Sequence, residues 1–354
     1  MKKNIQKHIK ANAYTQAGVD IDRKMLAISE AKKMIKKTST PETLSGIGLF
    51  GGLFKSPGKD EILVSSTDGV GTKLKVACMA GRHDTVGQDI VNHCVNDILV
   101  EGAQPLFFLD YIGMSSFNPE VFKQIIKGLC KACRKNQCVL IGGETAEMPG
   151  LYPPNEYDLV GTIVGSVKKS GLIIGDKIKP GNIVIALPST GLHTNGYSLA
   201  RKIIFEQCGL EINDILPGTK QRVADVLLAI HKSYLSPVKR LMKKIKINGM
   251  AHITGGGIFD NIQRILPANV SVTIDASAYH IPFLFKFLMK RGKIDIYEMY
   301  RVFNMGIGFI IIVEANLISK ALQILKNTGE EPFIIGEVIQ GKREVILKNA
   351  NIPQ

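Results

Sequence analysis

The chain has 354 residues, of which 45% are hydrophobic, with 35 glycines and 15 prolines. This length and hydrophobic content exclude general disorder and allow one large core or, as we expect, two ordinary ones. The formal net charge is +14 although only 21% of the residues are charged, so the composition is globular with a basic excess.

The sequence lacks the apolar segments of a signal peptide or a membrane span, and its cysteines do not form a disulfide pattern. Residues 1–14, MKKNIQKHIKANAY, contain no signal-like apolar stretch, and no apolar run reaches the roughly 18 residues of a membrane span. The six cysteines are typical of reduced, mostly buried thiols, and the C-x-x-C pair has no second pair at zinc spacing. We therefore expect a soluble cytoplasmic protein with no membrane contact.

The basic excess is concentrated in a few lysine-rich stretches, namely residues 2–10, 32–37 and 239–246. Few aromatic residues lie between these lysines, and the chain has no helix-turn-helix or RNA-recognition signature. We interpret the stretches as solvated helix faces and expect no specific nucleic acid partner. An anionic small substrate would use the same charge.

The first half of the chain alternates helical and strand patterns. Helices are predicted over 21–37, 86–100 and 119–136, the last with Asn118 as its cap and Pro119 as its first residue. Short β-branched or apolar runs predict strands over 61–66, 106–112, 138–141 and 159–167. This alternation predicts an α/β fold.

A turn-rich stretch, residues 168–182, separates this half from the next, and we place a domain boundary near residue 170. The predicted domains are 1–170 and 171–354. Strands of the second domain are predicted near 183–187, 270–274, 307–313, 333–339 and 344–347, and helices near 196–208, 222–245 and 318–328.

Residues 46–51, GIGLFG, match the pattern G-x-G-x-x-G through Gly46, Gly48 and Gly51. A dinucleotide loop of this pattern follows a strand and opens a helix, whereas this one follows a helix and a proline. Taken alone, the motif is weak support for nucleotide binding, and a flexible glycine hinge is the alternative.

A second glycine-rich segment, SSTDGVGTK, follows the first predicted strand. Asp68 lies at the strand end, and Gly69 and Gly71 allow backbone N–H groups to converge on an anion near Lys73. A carboxylate beside amides and a lysine suits a metal-bound triphosphate, although an ordinary Asx turn has the same pattern.

The predicted helix 86–100 carries Asp89, His93 and Asn96 at i, i+4 and i+7, with Asp97 next to them. Buried Asp or Asn side chains must be hydrogen-bonded or bind a cation, so this polar stripe either faces solvent or lines a polar site. In the second case Asp97 would supply a second metal carboxylate.

Three further loops place polar residues beside glycines. In GGETAEMPG, residues 142–150, Glu144 is predicted to emerge on a glycine turn at a strand end. PSTGLHTNGYS, residues 188–198, and HITGGGIFDN, residues 252–261, each precede a helix and suit phosphate capture, with decorated N-caps as the alternative. Repeated anion-type loops make coincidence a poor explanation.

Together these segments closely resemble phosphoribosylformylglycinamidine cyclo-ligases, the aminoimidazole ribonucleotide synthetases of purine biosynthesis. The strings that carry the resemblance are STDGVGTKLKVA, VNDILVEGAQPLFFLDY, GGETAEMPGLY, PSTGLHTNGYSL, HITGGGIFDNI and EMYRVFNMGIGFIII. It covers residues 14–348 approximately and separates the chain from ATP-using relatives such as selenophosphate synthetase and thiamine-monophosphate kinase.

The resemblance implies a two-domain α/β subunit with mixed sheets, whose amino-terminal domain binds ATP and pairs with a second copy in a homodimer. It also implies a phosphorylated small-molecule substrate. ATP would phosphorylate the formamide oxygen of formylglycinamidine ribonucleotide, and the substrate's own nitrogen would then close the imidazole ring, releasing ADP and phosphate. Proximity does much of the second step.

The resemblance also implies site residues. ATP would be held by Lys32, Gly46, Gly48, Gly51, Asp68, Gly69, Gly71, Thr72, Lys73 and Asn195. Mg²⁺ would be held by Asp68, Asp97 and Glu144, and the catalytic residues would be Asp97, His193 and His252. Which histidine does what is open, as is a requirement for a monovalent cation. His8, His231 and His280 show no partner pattern and are interpreted as surface or packing residues.

Two other functions stay open at this point. A kinase or synthetase of the same fold would use ATP on another acceptor, and a nucleic-acid-binding protein would use the basic faces regardless of ATP. Substrate-dependent ADP release distinguishes the first, and salt-sensitive binding distinguishes the second.

Overall fold

The computed structural model describes residues 30–43 and 60–350. Residues 30–36 are helical, so the described end of the predicted helix 21–37 is confirmed. The predicted glycine loop with Gly46, Gly48 and Gly51 lies outside the described residues, as does His8.

The first half of the chain forms a four-stranded mixed sheet in the order β1-β4-β2-β3. Its strands are β1 (Glu61–Gly69), β2 (Gln104–Met114), β3 (Val139–Glu147) and β4 (Tyr157–Lys168). β4 pairs antiparallel with β1 and β2, whereas β2 and β3 are parallel. All four predicted strands of this half are confirmed, with longer limits.

Helices cover one face of this sheet. They are α1 (Lys73–Ala80), α2 (Asp84–Leu99) and α3 (Pro119–Lys135). The Asn118 side chain accepts hydrogen bonds from the N–H groups of Glu120 and Val121, as the predicted cap requires. α2 packs on β1 and β4 and crosses α3 closely, since a Cβ on Gly87 would overlap the backbone of Ile125.

The opposite face of the sheet carries half-buried or exposed side chains. On β1, Ser65 and Thr67 are exposed and Leu63 is 60% exposed. In register beside them on β4 and β2 lie half-buried apolar and hydroxyl side chains, including Thr162 and Tyr111. No described helix packs on this face, which we call the outer face.

The second half forms a six-stranded mixed sheet in the order β10-β7-β9-β5-β8-β6. Its strands are β5 (Asn182–Pro188), β6 (Gly249–His252), β7 (Val270–Asp275), β8 (Ile307–Glu314), β9 (Phe333–Gln340) and β10 (Val345–Lys348). Its helices are α4 (Tyr197–Arg201), which continues as a π-helix over Lys202–Gln207, α5 (Val223–Leu227), α6 (Leu235–Met242), α7 (Gly257–Ile265), α8 (Phe283–Gly292), α9 (Ile296–Val302) and α10 (Ile318–Lys326).

The predicted α/β fold is confirmed, but two local predictions are wrong. The strand predicted over 138–141 continues through Glu147, so Glu144 lies within β3 and not on a turn after it. The helix predicted over 222–245 is two helices, α5 and α6, because the intervening residues hydrogen-bond to α2 in the first half. None of the helices among the described residues is both long and apolar enough to cross a membrane.

Candidate active site between the two sheets

The polar stripe of α2 is buried against the segment between α5 and α6. The Asn96 side chain accepts from the N–H of Tyr234 at 2.9 Å and donates to the carbonyl of Lys232 at 2.8 Å. Asn92 donates to the carbonyl of His231 at 2.7 Å. The stripe therefore lines a polar site instead of facing solvent, and it joins the two halves of the chain.

A buried ion pair stabilises this junction. Nζ of Lys73 lies 2.7 Å from Oδ2 of Asp89, and both side chains are inaccessible to solvent. Lys73 also donates to the carbonyls of His193 and Ala229, and Asp89 accepts from the N–H of His231. Burial lowers the pKa of Lys73 and raises that of Asp89, and the hydrogen bonds to both charged groups oppose these shifts.

Next to this pair lie four buried imidazoles, which we call the histidine cluster: His93, His193, His231 and His252. His193 and His231 are stacked with ring centroids 4.0 Å apart, and the ring of His93 lies about 5 Å from those of His231 and His252. His93 comes from α2, and the other three come from the second half of the chain. The cluster exists only because the two halves pack together.

The cluster begins at the end of β1. Nε2 of His93 lies 2.8 Å from Oδ2 of Asp68, and its Nδ1 lies 2.7 Å from the hydroxyl of Thr194. That hydroxyl lies 3.3 Å from Nδ1 of His231. One side of the cluster is thus a path of close polar contacts from the carboxylate of Asp68 through the two imidazoles.

The path returns to α2 through His252. Nε2 of His231 lies 3.0 Å from Nε2 of His252, and Nδ1 of His252 lies 2.8 Å from Oδ1 of Asp97. The other carboxylate oxygen of Asp97 accepts from the Ser66 hydroxyl at 3.0 Å. The amide nitrogen of Asn96 lies 3.2 Å from Nε2 of His231. This series of side-chain contacts therefore starts at the carboxylate of Asp68 and ends at that of Asp97.

Two hydrogen-bond directions satisfy the contacts between Asp68 and Asp97, as assigned from the donor and acceptor capacities of the groups, and only the second lets Nε2 of His231 also accept from the Asn96 amide. In the first, His93 carries both ring protons, Thr194 donates to His231, and His231 donates to His252. In the second, His252 carries both ring protons and the bonds between the rings are reversed. Conversion moves one proton from His93 to His252, so the arrangement can relay a proton across the site.

The charges nearby favour the proton at His93. Burial alone would lower the pKa of His93, but the hydrogen bond with Asp68 and the charge of Asp97 raise it above its ordinary value. Burial lowers the pKa of His252, and Asp97 opposes that shift only in part. Burial also lowers the pKa values of the other two imidazoles of the cluster well below the ordinary value.

Both carboxylates are held in the charged form. Burial alone would raise the pKa of Asp68, but the hydrogen bond and charge of His93 lower it. Burial would likewise raise the pKa of Asp97, and the hydrogen bond and charge of His252 lower it. The side chains of Asp68 and Asp97 are 44% and 25% exposed. Ionised carboxylate oxygens that reach solvent are the ligands that Mg²⁺ prefers, so the chemistry of these two side chains fits a magnesium ion.

His193 has a strained backbone: its φ of 61° lies in the left-handed region that residues other than glycine rarely adopt. Its Nε2 accepts from the N–H of Thr190 at 3.2 Å, which assigns the proton of the neutral ring to Nδ1. That Nδ1 is buried and has no hydrogen-bond partner among the described residues. An unpaired buried donor is available to an acceptor from outside the protein.

The loops of residues 188–198 and 252–261 meet beside the cluster. The side-chain oxygen Oδ1 of Asn195 lies 3.4 Å from where a Cβ of Gly255 would stand. The side-chain nitrogen Nδ2 of Asn195 has no hydrogen-bond partner in the described part of the chain. Gly256, with φ of 90°, precedes the first residue of α7. The helix amino terminus and the unpaired amide nitrogen are both donors of the kind that bind anions.

The comparisons with known proteins agree with this architecture. Residues 51–167 match the family model described as AIR synthase related protein, N-terminal domain, and residues 179–349 match the corresponding C-terminal domain. The phosphoribosylformylglycinamidine cyclo-ligase of Geobacter metallireducens is 49% identical over 332 residues, which cover 93% of this chain and 95% of that protein. That of Alkaliphilus oremlandii is 46% identical over 94% of this chain and 99% of that protein.

The chain belongs to the phosphoribosylformylglycinamidine cyclo-ligase family. The resemblance predicted from the sequence strings is thereby confirmed, and the chain is an enzyme of the ligase class.

Two solved structures share the fold of the cyclo-ligase chain. Thiamine-monophosphate kinase from Stenotrophomonas maltophilia has a TM-score of 0.71 at 17% identity, over 91% of this chain and 96% of that one. Hydrogenase maturation protein HypE in complex with ATP has a TM-score of 0.68 at 17% identity, over 94% and 92%. At this identity the likeness concerns the fold alone.

The structure brings together four of the residues predicted for the cyclo-ligase site, namely Asp68, Asp97, His193 and His252. Asn195 lies beside Gly255 on the adjoining loop. On the strand end and the turn after it, the Gly69 N–H donates to its neighbour Asp68 at 2.6 Å, and Gly71 has φ of 68°. The hydroxyl of Thr72 lies 3.0 Å from that of Ser198 across the junction.

Two predicted ligands of the cyclo-ligase site, Lys73 and Glu144, lie outside the group formed by Asp68, Asp97 and the histidines. The buried Lys73 ammonium contacts Asp89 and two backbone carbonyls, so it fixes the junction, and its role at ATP stays a prediction. Glu144 lies on the outer face of β3, three strands from β1, which is roughly 14 Å at the usual strand spacing. Within one chain Glu144 therefore does not share a metal with Asp68 and Asp97.

Lys32 is exposed on the helical segment 30–36, away from the histidine cluster. This segment packs against the far edge of the sheet: Glu30 pairs with Lys123 of α3, and the hydroxyl of Thr38 accepts from the N–H of Leu140 on β3. Its role at ATP stays a prediction.

His231 was wrongly interpreted as a surface or packing residue, since it connects His93 and His252 through the cluster. Its sequence neighbours gave no sign of this, because its partners are far away in the chain. The one available signal was the polar stripe of α2, which required buried partners.

Proposed function

We propose that the protein catalyses the ATP-dependent cyclisation of formylglycinamidine ribonucleotide to aminoimidazole ribonucleotide, with release of ADP and phosphate. The observation that carries this proposal is the 49% identity to a named cyclo-ligase over 93% of the chain. The junction between the two sheets supplies side chains suited to such a reaction: two ionised carboxylates, a proton-relaying set of imidazoles and an anion-type loop.

The reaction proceeds through two bond exchanges. The formamide oxygen of the substrate accepts the terminal phosphoryl group of ATP, and ADP leaves. The amidine-side nitrogen then forms the C–N bond of the ring, the C–O bond breaks, and phosphate leaves. Because nitrogen and carbon belong to one molecule, holding the substrate in the folded geometry supplies much of the acceleration.

Ring closure also requires that the attacking nitrogen lose a proton. We assign this proton to Asp97, whose partly exposed carboxylate is connected to the histidine cluster through the 2.8 Å contact with Nδ1 of His252. The side-chain contacts through His231 and Thr194 connect His252 to His93. A proton taken up at one end of the cluster is therefore offset by release of a proton at the other end. His193 would donate from its unpaired Nδ1 to an oxygen of the substrate or of the leaving phosphate.

The two carboxylates at the ends of the chain, Asp68 and Asp97, would hold Mg²⁺ in this proposal. When bound, the ion would neutralise phosphate charge and orient the phosphoryl group. The amide of Asn195, with the amino terminus of α7 behind Gly256, would bind a phosphate group.

We further propose that the outer face of the four-stranded sheet pairs with a second copy of the chain. This face carries apolar and hydroxyl side chains, including Leu63 at 60% exposure and the hydrogen-bonded pair Thr67 and Thr162. Burying such a face against its symmetry mate would form an isologous interface. The six cysteines are free thiols, which suits the reducing cytoplasm where we expect the enzyme to act.

The test is to incubate the purified protein with Mg²⁺-ATP, with and without formylglycinamidine ribonucleotide, and to follow ADP and the aminoimidazole product together. Equal amounts of both products, dependent on the substrate, support the proposal. ADP without the imidazole would indicate a kinase or synthetase with another acceptor, and no ADP with every substrate present would overturn it. Sedimentation of the same sample tests the dimer, with Leu63→Glu as a variant that should yield monomers.

A further inference from the structure

A second concave site lies at the junction of the two halves, apart from the histidine cluster. It is a cavity of about 940 Å³, lined by the residues that follow α2, by the linker after β4 and by the end of α6 and the residues after it. None of its described lining residues belongs to the cluster or to the loops beside it. The linker and both halves of the chain thus contribute to one site.

The rim of this cavity has a strong excess of positive charge. Its charged lining residues are one aspartate, Asp176, and six lysines: Lys168, Lys177, Lys239, Lys243, Lys244 and Lys246. No ion pair involves any of these lysines within the described residues, and the nearby carboxylate of Glu314 is already paired with Lys179 at 2.9 Å. These lysines repel one another, and an anion between them would relieve that repulsion.

The floor of the cavity is apolar. Val167, Ile245 and Ile247 line it and are at most 8% exposed. Residues 239–246 were interpreted from the sequence as a solvated helix face. In the structure they also border an apolar surface, which a solvated face does not require. A volume of this size is within the range of small-molecule sites, roughly 300–1,000 Å³.

We propose that this cavity, which we call the lysine cavity, binds a nucleotide that carries two or more phosphates. The phosphates would lie among the lysines at the rim, and the flat, weakly polar base would lie on the apolar floor. An acidic protein segment would pair with the lysines but would leave the apolar floor without a flat partner, which a nucleotide base supplies. The site is a second nucleotide site, in addition to the ATP site of the proposed reaction.

Its position gives the bound nucleotide a contact with both halves of the enzyme. Gly102 and Gln104 line the cavity and follow directly after α2, the helix that carries Asp97 and His93. Lys239 and Lys243 lie at the end of α6, just after the segment that carries His231. A ligand here holds the two elements that frame the histidine cluster.

The experiment counts ADP sites per chain by isothermal titration calorimetry of the full-length protein, at low and at high salt. The test variant is Lys243→Glu with Lys246→Glu. The matched control is Lys290→Glu with Lys326→Glu, which makes the same charge change at two exposed lysines outside the cavity. We expect two sites in the wild type and the control, and one in the test variant, whose second affinity falls at least tenfold.

Turnover of the test variant at saturating ATP should stay within twofold of the wild type, because neither lysine lies in the catalytic machinery. This separates the present proposal from the proposed function: absence of the imidazole product in every variant would overturn the function and leave the site count unchanged. One ADP site per chain in all three proteins would overturn the lysine cavity as a nucleotide site.

Two competitor probes test the chemistry of the ligand. Inorganic tripolyphosphate should bind the cavity at least tenfold more weakly than ADP, because it has no base to place on the floor, and equal affinity would overturn the nucleotide assignment. A single-stranded RNA that displaces ADP from the wild type and binds more tightly would likewise overturn it, in favour of a nucleic-acid surface.

Discussion

Asp97 and Asp110 are two carboxyl groups of the first half of the chain whose pKa values move in opposite directions. Asp97 lies at the junction and accepts from His252 and Ser66, and its pKa is lowered although burial would raise it. Asp110 lies on β2, 8% exposed, on the face that the helices cover. Burial and the neighbouring carboxylate of Glu144 raise its pKa to about 7.

The difference shows that burial alone does not decide the charge of a carboxyl group. His252 from the second half of the chain and Ser66 and His93 from the first half surround Asp97 and stabilise its anion. Asp110 is surrounded by its own domain, where Gly143 of β3 packs directly on its carboxyl group and the thiols of Cys130 and Cys133 lie close by. Asp97 is therefore ionised at neutral pH and available to a metal or a proton. Ionising the buried Asp110 at neutral pH lowers the free energy of unfolding.

The largest effect is expected from Asp97→Asn. The amide removes the charge that orients His252 and one of the two proposed ligands of Mg²⁺, so kcat should fall by about 10² to 10⁴-fold, as for other residues that orient a catalytic imidazole. Asp84→Asn, at the start of the same helix, is the matched control and should keep near wild-type turnover. A rate for Asp97→Asn within threefold of the wild type at saturating Mg²⁺ and ATP would refute both roles.

Lys73→Met tests the other buried carboxylate of the junction, Asp89. Removing the ammonium leaves Asp89 charged and buried, and the free energy of unfolding should fall by about 3–5 kcal/mol in urea titrations. Lys75→Met removes a partly exposed ion pair with Glu156 and should cost about 1 kcal/mol or less. Adding Asp89→Asn to Lys73→Met should recover part of the loss, and no recovery would contradict the uncompensated-charge explanation.

Asp110→Asn should change how stability depends on pH. The folded pKa of about 7 lies above the ordinary unfolded value, so the stability contributed by Asp110 is complete below about pH 4 and is lost as the pH rises towards 7. Between pH 5 and 8 the wild type should lose about 2–3 kcal/mol relative to the variant.

Urea midpoints of both proteins at the two pH values measure this difference. Asp60→Asn, at an exposed aspartate next to the same sheet, is the control and should follow the wild type. If the stability of Asp110→Asn falls with pH as steeply as that of the wild type, the raised pKa is wrong.

The smallest effect is expected from Ser66→Ala. The substitution removes the 3.0 Å hydrogen bond to Asp97, and about 1 kcal/mol of lost support for the carboxylate corresponds to roughly fivefold in kcat/KM. Ser65→Ala changes the adjacent residue, which points to the outer face, and should leave kcat/KM unchanged. Equal kinetics for the two variants would show that His252 alone holds Asp97.

The sequence predicted most of the fold because its strands and helices carry their own local patterns. The alternation of the first half, the Asn118 cap and the strands of the second half are confirmed with shifts of a few residues. The helix predicted over 222–245 failed for a physical reason. Its helical periodicity competes with hydrogen bonds from α2, and these hold residues such as His231 in a non-helical conformation.

The candidate site was predictable only in part. Asp68, Asp97, His193 and His252 each lie in a string that resembles the family, so the resemblance named them. Lys73 and Glu144 lie in similar strings, yet the structure places Lys73 in a buried ion pair with Asp89 and Glu144 on β3, three strands from β1. A motif fixes which side chains are present, but the packing of the chain decides which of them face each other.

By itself the sequence determined the α/β class, the family and the polar stripe of α2 that had to be buried or used. Only the tertiary structure decided that His231 completes the chain between His93 and His252, and that Lys73 pairs with Asp89. These contacts join residues from opposite halves of the chain. No local pattern encodes them, because the charge and hydrogen bonding of a buried polar group depend on what the rest of the fold places beside it.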